Sequence, residues 1–356
     1  METRRNTWMD RARTFAILAV VLCHAVEFAF PFRLEMWNEG TRLSWIVRLT
    51  LLSVGRLGVP LFLSLTGALL LNRDYTDEKE ISRFYRQRFL RLLMCVECWV
   101  LLYAFFLSWY HDLPFDFRRL MSSLVTTSQV QLGHMWYTPM ILGMYLTIPF
   151  VARALRGLSA KALLPVLLTS FVVFSALPSV NLVLDVLGIV NREMLLDLSF
   201  SGGVYGLYLI GGWLIHSRRA LEKLPTPAVV VGMLGCFLGT AGFQVWRYAM
   251  GWDYKVWYDF AGLMAAGLLL FECFRRTQNS RALEGVCLYL SQRSFAIYFL
   301  HFPIQCAVHA LGWHELAGGL YGQMLFLWVV PLAASLALIE LLRPVKPIRR
   351  VLLYMN

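Results

Sequence analysis

The chain has 356 residues, of which 58% belong to the set Ala, Val, Ile, Leu, Met, Phe, Trp, Tyr and Cys and only 15% are charged, for a mean hydropathy of +0.58. Soluble domains carry about 25% charged residues and need that polar covering, so a soluble enzyme, a disordered chain and a fibrous protein are excluded; most of this chain takes lipid as its solvent. The formal charge of +11 would suggest nucleic acid in a soluble protein, but here the placement of the basic residues reads as membrane topology and no nucleic-acid partner is expected.

A bilayer core of about 30 Å needs roughly 20 apolar residues per helix. Ten runs qualify, near 14–31, 43–71, 89–110, 134–152, 162–180, 199–216, 226–244, 254–274, 294–311 and 321–342. The fold class predicted is all-α: a polytopic integral membrane protein of about ten transmembrane helices. The first run has the basic flank of a signal peptide, yet it is long, carries His24 and Glu27 and lacks a clear small-residue cleavage site, so it reads as a retained helix. The second run is too long for one straight helix, and Gly55, Gly58 and Pro60 in its middle predict a break.

Of the 33 Lys and Arg residues, 24 flank the runs on the side of the N-terminus and 7 on the opposite side, with Arg48 and Arg56 inside the second run. That asymmetry places both termini in the cytoplasm of a multi-pass cell-membrane protein. No repeat period is visible, and the longer outer loops, about 111–133 and 181–198, are too short for separate domains. Residues 1–356 therefore read as one membrane-embedded domain. The seven cysteines are odd in number and mostly inside apolar runs, which is not a disulfide framework. Cys95-x-x-Cys98 has no second ligand pair nearby and reads as helix surface; no metal site is assigned.

Ionisable side chains inside a bilayer cost several kcal/mol unless solvated or paired, which makes each a functional candidate. Arg13 and His24 are eleven residues apart, about three turns plus 20°, so both point from one helix face with an axial separation of about 16 Å. His24 falls near mid-membrane, above Arg13 at the cytoplasmic boundary. Glu27, three residues beyond His24, lies on an adjoining face; it either fixes the imidazole tautomer or reaches outer water or an arginine. The stretch RFYRQRFLRLL enters the third run from the cytoplasm. On a regular helix its Arg88 and Arg91 are neighbours and Arg86 lies to one side. The cluster fits either an anchor for anionic lipid or a clamp for phosphates, whose oxygens guanidinium forks grip two at a time.

Arg56 sits among small residues in GRLGVPLFLSLTG, placed either to bind an anionic part of a substrate or to pair with Glu97. In HMWYTPMILGMYLTIP, His134, Trp136 and Tyr137 lie at the outer rim, where an aromatic belt is ordinary. Tyr298 and His301 are three apart in SQRSFAIYFLHFP. His111, His216, His309 and His314 are assigned no role.

These residues resemble the acyltransferase-3 family of integral membrane O-acyltransferases. The likeness runs through WMDRARTFAILAVVLCH (Asp10, Arg13, His24), GRLGVPLFLSLTG (Thr66, Gly67), the Arg-x-Arg pair Arg86 and Arg88, WYTPMILGMYLTIP and SFAIYFLH, in that order. Thr66 stands where Ser is common, and the esterase-like domain fused to some members is expected to be absent. The resemblance implies transfer of an acyl group, usually acetyl, from acyl-CoA to a hydroxyl of a cell-surface polysaccharide or its lipid-linked precursor. It implies that His24 is the catalytic histidine and that Arg13, Arg86 and Arg88 belong to an essential arginine set. The expected site is then His24 with Glu27 for chemistry, Arg13, Arg86, Arg88 and Arg91 for the donor, and Arg56, Trp136, Tyr137, Tyr298 and His301 around the substrate. No permanently bound cofactor is expected. An exporter of polysaccharide or lipid-linked sugar would also use buried His, Arg and Glu with broken helices, but no repeated pair of motifs is visible. A non-catalytic scaffold leaves the stacked Arg13 and His24 unexplained.

Overall fold

The computed structural model describes residues 6–30, 32–38, 40–112, 114–124, 132–189, 203–253, 256–277 and 283–355. Among these the regular structure is helical. The α-helices in chain order are α1 (Thr7–Ala29), α2 (Arg42–Arg56), α3 (Gly58–Leu70), α4 (Glu78–Phe84), α5 (Leu90–Tyr110), α6 (Phe117–Ser123), α7 (Tyr137–Gly157), α8 (Ala160–Phe171), α9 (Leu177–Val186), α10 (Gly203–Ser217), α11 (Thr226–Ala249), α12 (Ala261–Arg276), α13 (Glu284–Ala310), α14 (Leu320–Leu342) and α15 (Lys346–Val351). Turns of π-helix, Tyr85–Phe89 and Val172–Ala176, join α4 to α5 and α8 to α9.

Seven stretches among the described residues are long and apolar enough to cross a membrane: Thr7–Ala29, Arg42–Leu70, Glu78–Tyr110, Gly133–Gly157, Lys161–Val186, Thr226–Ala249 and Leu320–Leu342. Each coincides with a predicted run. The other three runs form α10, α12 and α13. Of these, α12 has 16 residues, short of the roughly 20 a bilayer requires, and the described part of α10 has 15. α13 has 27, but Ser291, Gln292, Arg293, Ser294, His301 and Gln305 dilute its apolar character. Among the described residues, seven spans meet the requirement of length and hydropathy. The side chains left exposed agree with a lipid surround: Leu164, Val166 and Leu168 of α8 are 57%, 62% and 54% exposed, a patch that water would not tolerate on a monomer.

The chain forms two compact units, Met1–Arg73 with Ala154–Ser291, and Asp74–Arg153 with Gln292–Asn356. In the first, α1 packs on α2, α3 and α12, and α3 on α10. Small residues make the last contact: a β-carbon on Gly67 would fall 1.8 Å from the Leu209 carbonyl oxygen, and one on Gly212 would fall 2.1 Å from that of Ser64. Lipid tails are as apolar as leucine, so helices in a membrane associate by such close backbone packing rather than by hydrophobic drive. The predicted break falls at Leu57, between α2 and α3, with the Leu57 N–H donating to Val54 O at 3.1 Å. Pro60 follows in the first turn of α3, where a missing N–H costs least. At the start of α1, the Ser291 hydroxyl donates to Asp10 Oδ1 at 2.5 Å and the Thr14 hydroxyl to Cys287 O at 2.9 Å. At the end of α12, the fully buried Glu272 accepts from Arg275 Nε at 2.7 Å and Arg276 Nε at 2.6 Å.

In the second unit, α13 packs on α5 through Trp99 and Phe299, whose rings stack at 5.3 Å and 1°. The Tyr103 hydroxyl donates to Phe299 O at 2.5 Å. Gln305 Nε2 reaches Leu327 O at 3.1 Å and Arg293 Nε reaches Glu340 at 2.6 Å, tying α13 to α14.

Candidate functional site

Three of the predicted residues meet in the first unit. Glu27, one turn beyond His24 on α1, places Oε2 2.8 Å from His24 Nδ1. Its other oxygen accepts from Arg56 Nη2, also at 2.8 Å. Arg56 comes from the last residue of α2, beside the break at Leu57. Gly55 is what lets it arrive: a β-carbon there would lie 2.6 Å from the Cys23 Cα, so α1 and α2 touch backbone to backbone beside His24.

The two partners considered for Glu27, a histidine and an arginine, are thus both in contact with it. The buried Arg56 finds its ion pair in Glu27, and its guanidinium lies over the Trp257 ring at 4.2 Å. Pairing and stacking are what allow a guanidinium to be buried. Trp257 Nε1 in turn donates to the Tyr205 hydroxyl at 3.4 Å.

A carboxylate can only accept, so Nδ1 of His24 carries a proton directed at Glu27. The His24 side chain is 14% exposed, enclosed yet reachable. A histidine so held can take a proton from an approaching hydroxyl through Nε2 while Glu27 steadies the charge that develops on the ring.

Arg13 is half-buried, with Nη1 3.5 Å from the Ser291 hydroxyl that itself donates to Asp10. Asp10, Arg13 and Ser291 thereby join α1 to the first two turns of α13.

The arginines at the entry to the third run belong to the second unit. Arg86 and Arg88 lie within the π-helical turn Tyr85–Phe89, where the Leu90 N–H returns to Tyr85 O. Regular-helix spacing therefore does not carry across this segment, and the sequence picture of Arg86 lying to one side of Arg88 and Arg91 rested on it. Single π turns inside α-helices occur often at functional sites. Arg86 is exposed and lines a surface pocket with Glu78, Lys79, Ser82, Arg83 and Gln87. Arg88 is half-buried. Arg91 is engaged by the chain itself: Nε donates to Arg350 O at 3.2 Å and Nη2 to Met355 O at 2.9 Å.

The residues predicted from the fourth and ninth runs also meet in the second unit. The Tyr298 hydroxyl donates to His134 O at 2.7 Å. The rings of Tyr137 and Tyr298 lie 5.8 Å apart, and those of His134 and His301 5.6 Å apart. His134 is buried and stacks on Phe302 at 4.6 Å. His301 is fully buried, and its Nδ1 donates to Ile297 O at 2.9 Å. Trp136 is half-buried beside Tyr137 at 6.0 Å.

Sequence reasoning missed Trp257, Ser291 and Tyr354. Each meets its partner from more than 190 positions away along the chain, a distance over which spacing carries no signal. Tyr354 follows α15, and burial holds its phenol above the ordinary tyrosine range, so it is a hydrogen-bond donor at neutral pH.

The family model described as an acyltransferase domain, that of acyltransferase-3, matches residues 6–340. No curated protein and no solved structure matches the chain. The match takes in nearly the whole sequence, including α1 with His24, the π turn with Arg86 and Arg88, and α13 with Tyr298 and His301. The chain belongs to the acyltransferase-3 family of membrane acyltransferases.

Proposed function

We propose that this acyltransferase moves an acyl group, acetyl in the first instance, from acyl-CoA to a hydroxyl of a cell-surface polysaccharide or lipid-linked sugar, working as one domain in the cell membrane. The observation that carries the reading is the His24–Glu27–Arg56 chain, with 2.8 Å at both links, in a chain of this family. Nε2 of His24 takes the proton of the acceptor hydroxyl as its oxygen attacks the thioester carbonyl. The new C–O bond forms, the C–S bond breaks, and the thiol of CoA leaves with the proton that His24 returns. General base catalysis of this kind contributes about 10²- to 10⁴-fold in rate. Arg13, Arg86 and Arg88 serve the donor, whose phosphates suit guanidinium groups; the group around Trp136, Tyr137, Tyr298 and His301 serves the substrate. No resident cofactor enters the step.

The test is to incubate purified protein with labelled acetyl-CoA and cell-surface glycans. Label passes to the glycan with the native protein and not with His24→Ala. Normal surface acylation in cells whose only copy is His24→Ala overturns the reading, and glycan export without acylation would favour an exporter.

A further inference from the structure

The segment that follows α14 lies beyond the family match at residues 6–340, yet it is bound to the π turn that carries Arg86 and Arg88. Five contacts within the second unit fasten it to α5. Arg91 donates to the carbonyls of Arg350 and Met355 at 3.2 and 2.9 Å, and its guanidinium lies over the Tyr354 ring at 4.6 Å. Trp99 Nε1 donates to Leu352 O at 3.0 Å, and Cys95 Sγ approaches the same oxygen at 3.5 Å. The Tyr354 ring also packs on Phe295 of α13, 4.7 Å between centroids. Its hydroxyl then donates to the carbonyl of Arg88, a long bond of 3.4 Å.

Tyr354 adopts φ +53°. A bulky side chain rarely occupies that region, and such a conformation persists only where surrounding contacts over-determine it. The contacts of Tyr354 do so: a cation on one side of its ring, Phe295 on another, and a hydroxyl spent on Arg88. A π turn is an irregular stretch of the backbone ladder, where a helix bends. A donor anchored from outside the helix fixes where that irregular stretch, and the two guanidinium groups on it, are held.

We propose that the segment 346–355 is a brace for the π turn, with Tyr354 and Arg91 as positioning residues that set Arg86 and Arg88 for an anionic ligand bearing phosphates. The inference rests on the reading of Arg86 and Arg88 as donor-binding. It makes Arg91 a residue that acts through Arg88 rather than on the donor. Leu353, in the same segment, is buried.

The experiment uses the full chain with Tyr354→Phe, Arg91→Lys and Arg88→Ala. Amide exchange is followed at Tyr85–Leu90, together with coenzyme A binding and the kcat and KM for acetyl-CoA. Losing one such hydrogen bond corresponds to about 2- to 10-fold. Tyr354→Phe is expected to speed exchange at Tyr85–Leu90 without coenzyme A present and to raise KM by that factor with kcat retained; Arg91→Lys does the same more strongly. Arg88→Ala weakens coenzyme A binding by a larger factor. If exchange and KM match the native protein in both brace variants while Arg88→Ala weakens binding, the brace is overturned and the donor reading stands. Unchanged coenzyme A binding in Arg88→Ala overturns the donor reading, and exchange at the π turn then decides the brace by itself.

Discussion

Gly55 and Cys23 touch main chain to main chain: a β-carbon on Gly55 would come 2.6 Å from the Cys23 Cα. Each is followed directly in sequence by a residue of the candidate site, Arg56 and His24. The contact therefore sets how far Arg56 stands from Glu27. In Gly55→Ala the two helices must separate, a strain of about 1–3 kcal/mol, and the Arg56–Glu27 pair lengthens with them. The expected result is a protein that still reaches the membrane but transfers acyl groups about 10-fold more slowly, the factor that about 1.4 kcal/mol of lost transition-state stabilisation produces. Native turnover in purified Gly55→Ala would show the contact to be dispensable.

Glu27 orients His24 through one oxygen and takes Arg56 on the other. Glu27→Gln keeps the shape but presents an amide that can offer an N–H where an acceptor is required. By analogy with carboxylates behind other histidines, kcat should fall by about 10²-fold or more, with KM for acetyl-CoA little changed. Arg56→Lys should keep part of the activity and Arg56→Ala less, because only the first retains a charge for Glu27. Equal turnover in all three variants would remove Glu27 and Arg56 from the chemistry.

If Arg86 and Arg88 grip phosphates, geometry matters as well as charge. Arg86→Ala and Arg88→Ala should weaken acyl-CoA binding more than Lys replacement does, and binding should weaken as salt rises. Calorimetric titration with coenzyme A measures this directly. Identical affinity in the Ala and Lys variants would leave the anionic-lipid anchor as the better account of this cluster.

Glu272 is fully buried and holds two arginines, Arg275 and Arg276. Removing one member of a buried ion pair leaves an uncompensated charge and costs about 3–5 kcal/mol. Glu272→Ala should therefore lower the thermal midpoint in detergent well below that of Glu27→Gln, while the folded fraction keeps its turnover. An unchanged midpoint would mean that the arginines find other partners.

Some of this was legible in the residues. The break in the second run was announced by Gly55, Gly58 and Pro60, because glycine and proline act on the local backbone; it fell at Leu57. The approach of Glu27 to His24 followed from their spacing, since residues three apart on a helix are neighbours. The π turn at Tyr85–Phe89 was not legible, and an argument from 100° per residue does not carry across it. Its sequence has no proline or glycine to mark it, and a π turn differs from an α turn by a single residue of hydrogen-bond register. Arg91 looked equivalent to Arg86 and Arg88 in the same way; only the carbonyls of Arg350 and Met355 separate it from them.

Read as a string of residues, the chain is already a helical membrane protein of the acyltransferase-3 family, with His24, Glu27 and the arginines singled out. Hydropathy, charge asymmetry and short motifs are properties of neighbouring residues, and a one-dimensional pattern records them. The tertiary structure alone decided that Arg56 belongs to Glu27, that Trp257 covers Arg56 and that Tyr354 reaches Arg88. Those pairings depend on which helices can approach within a few ångströms, and that is fixed by small residues such as Gly55 meeting backbone from a distant part of the chain.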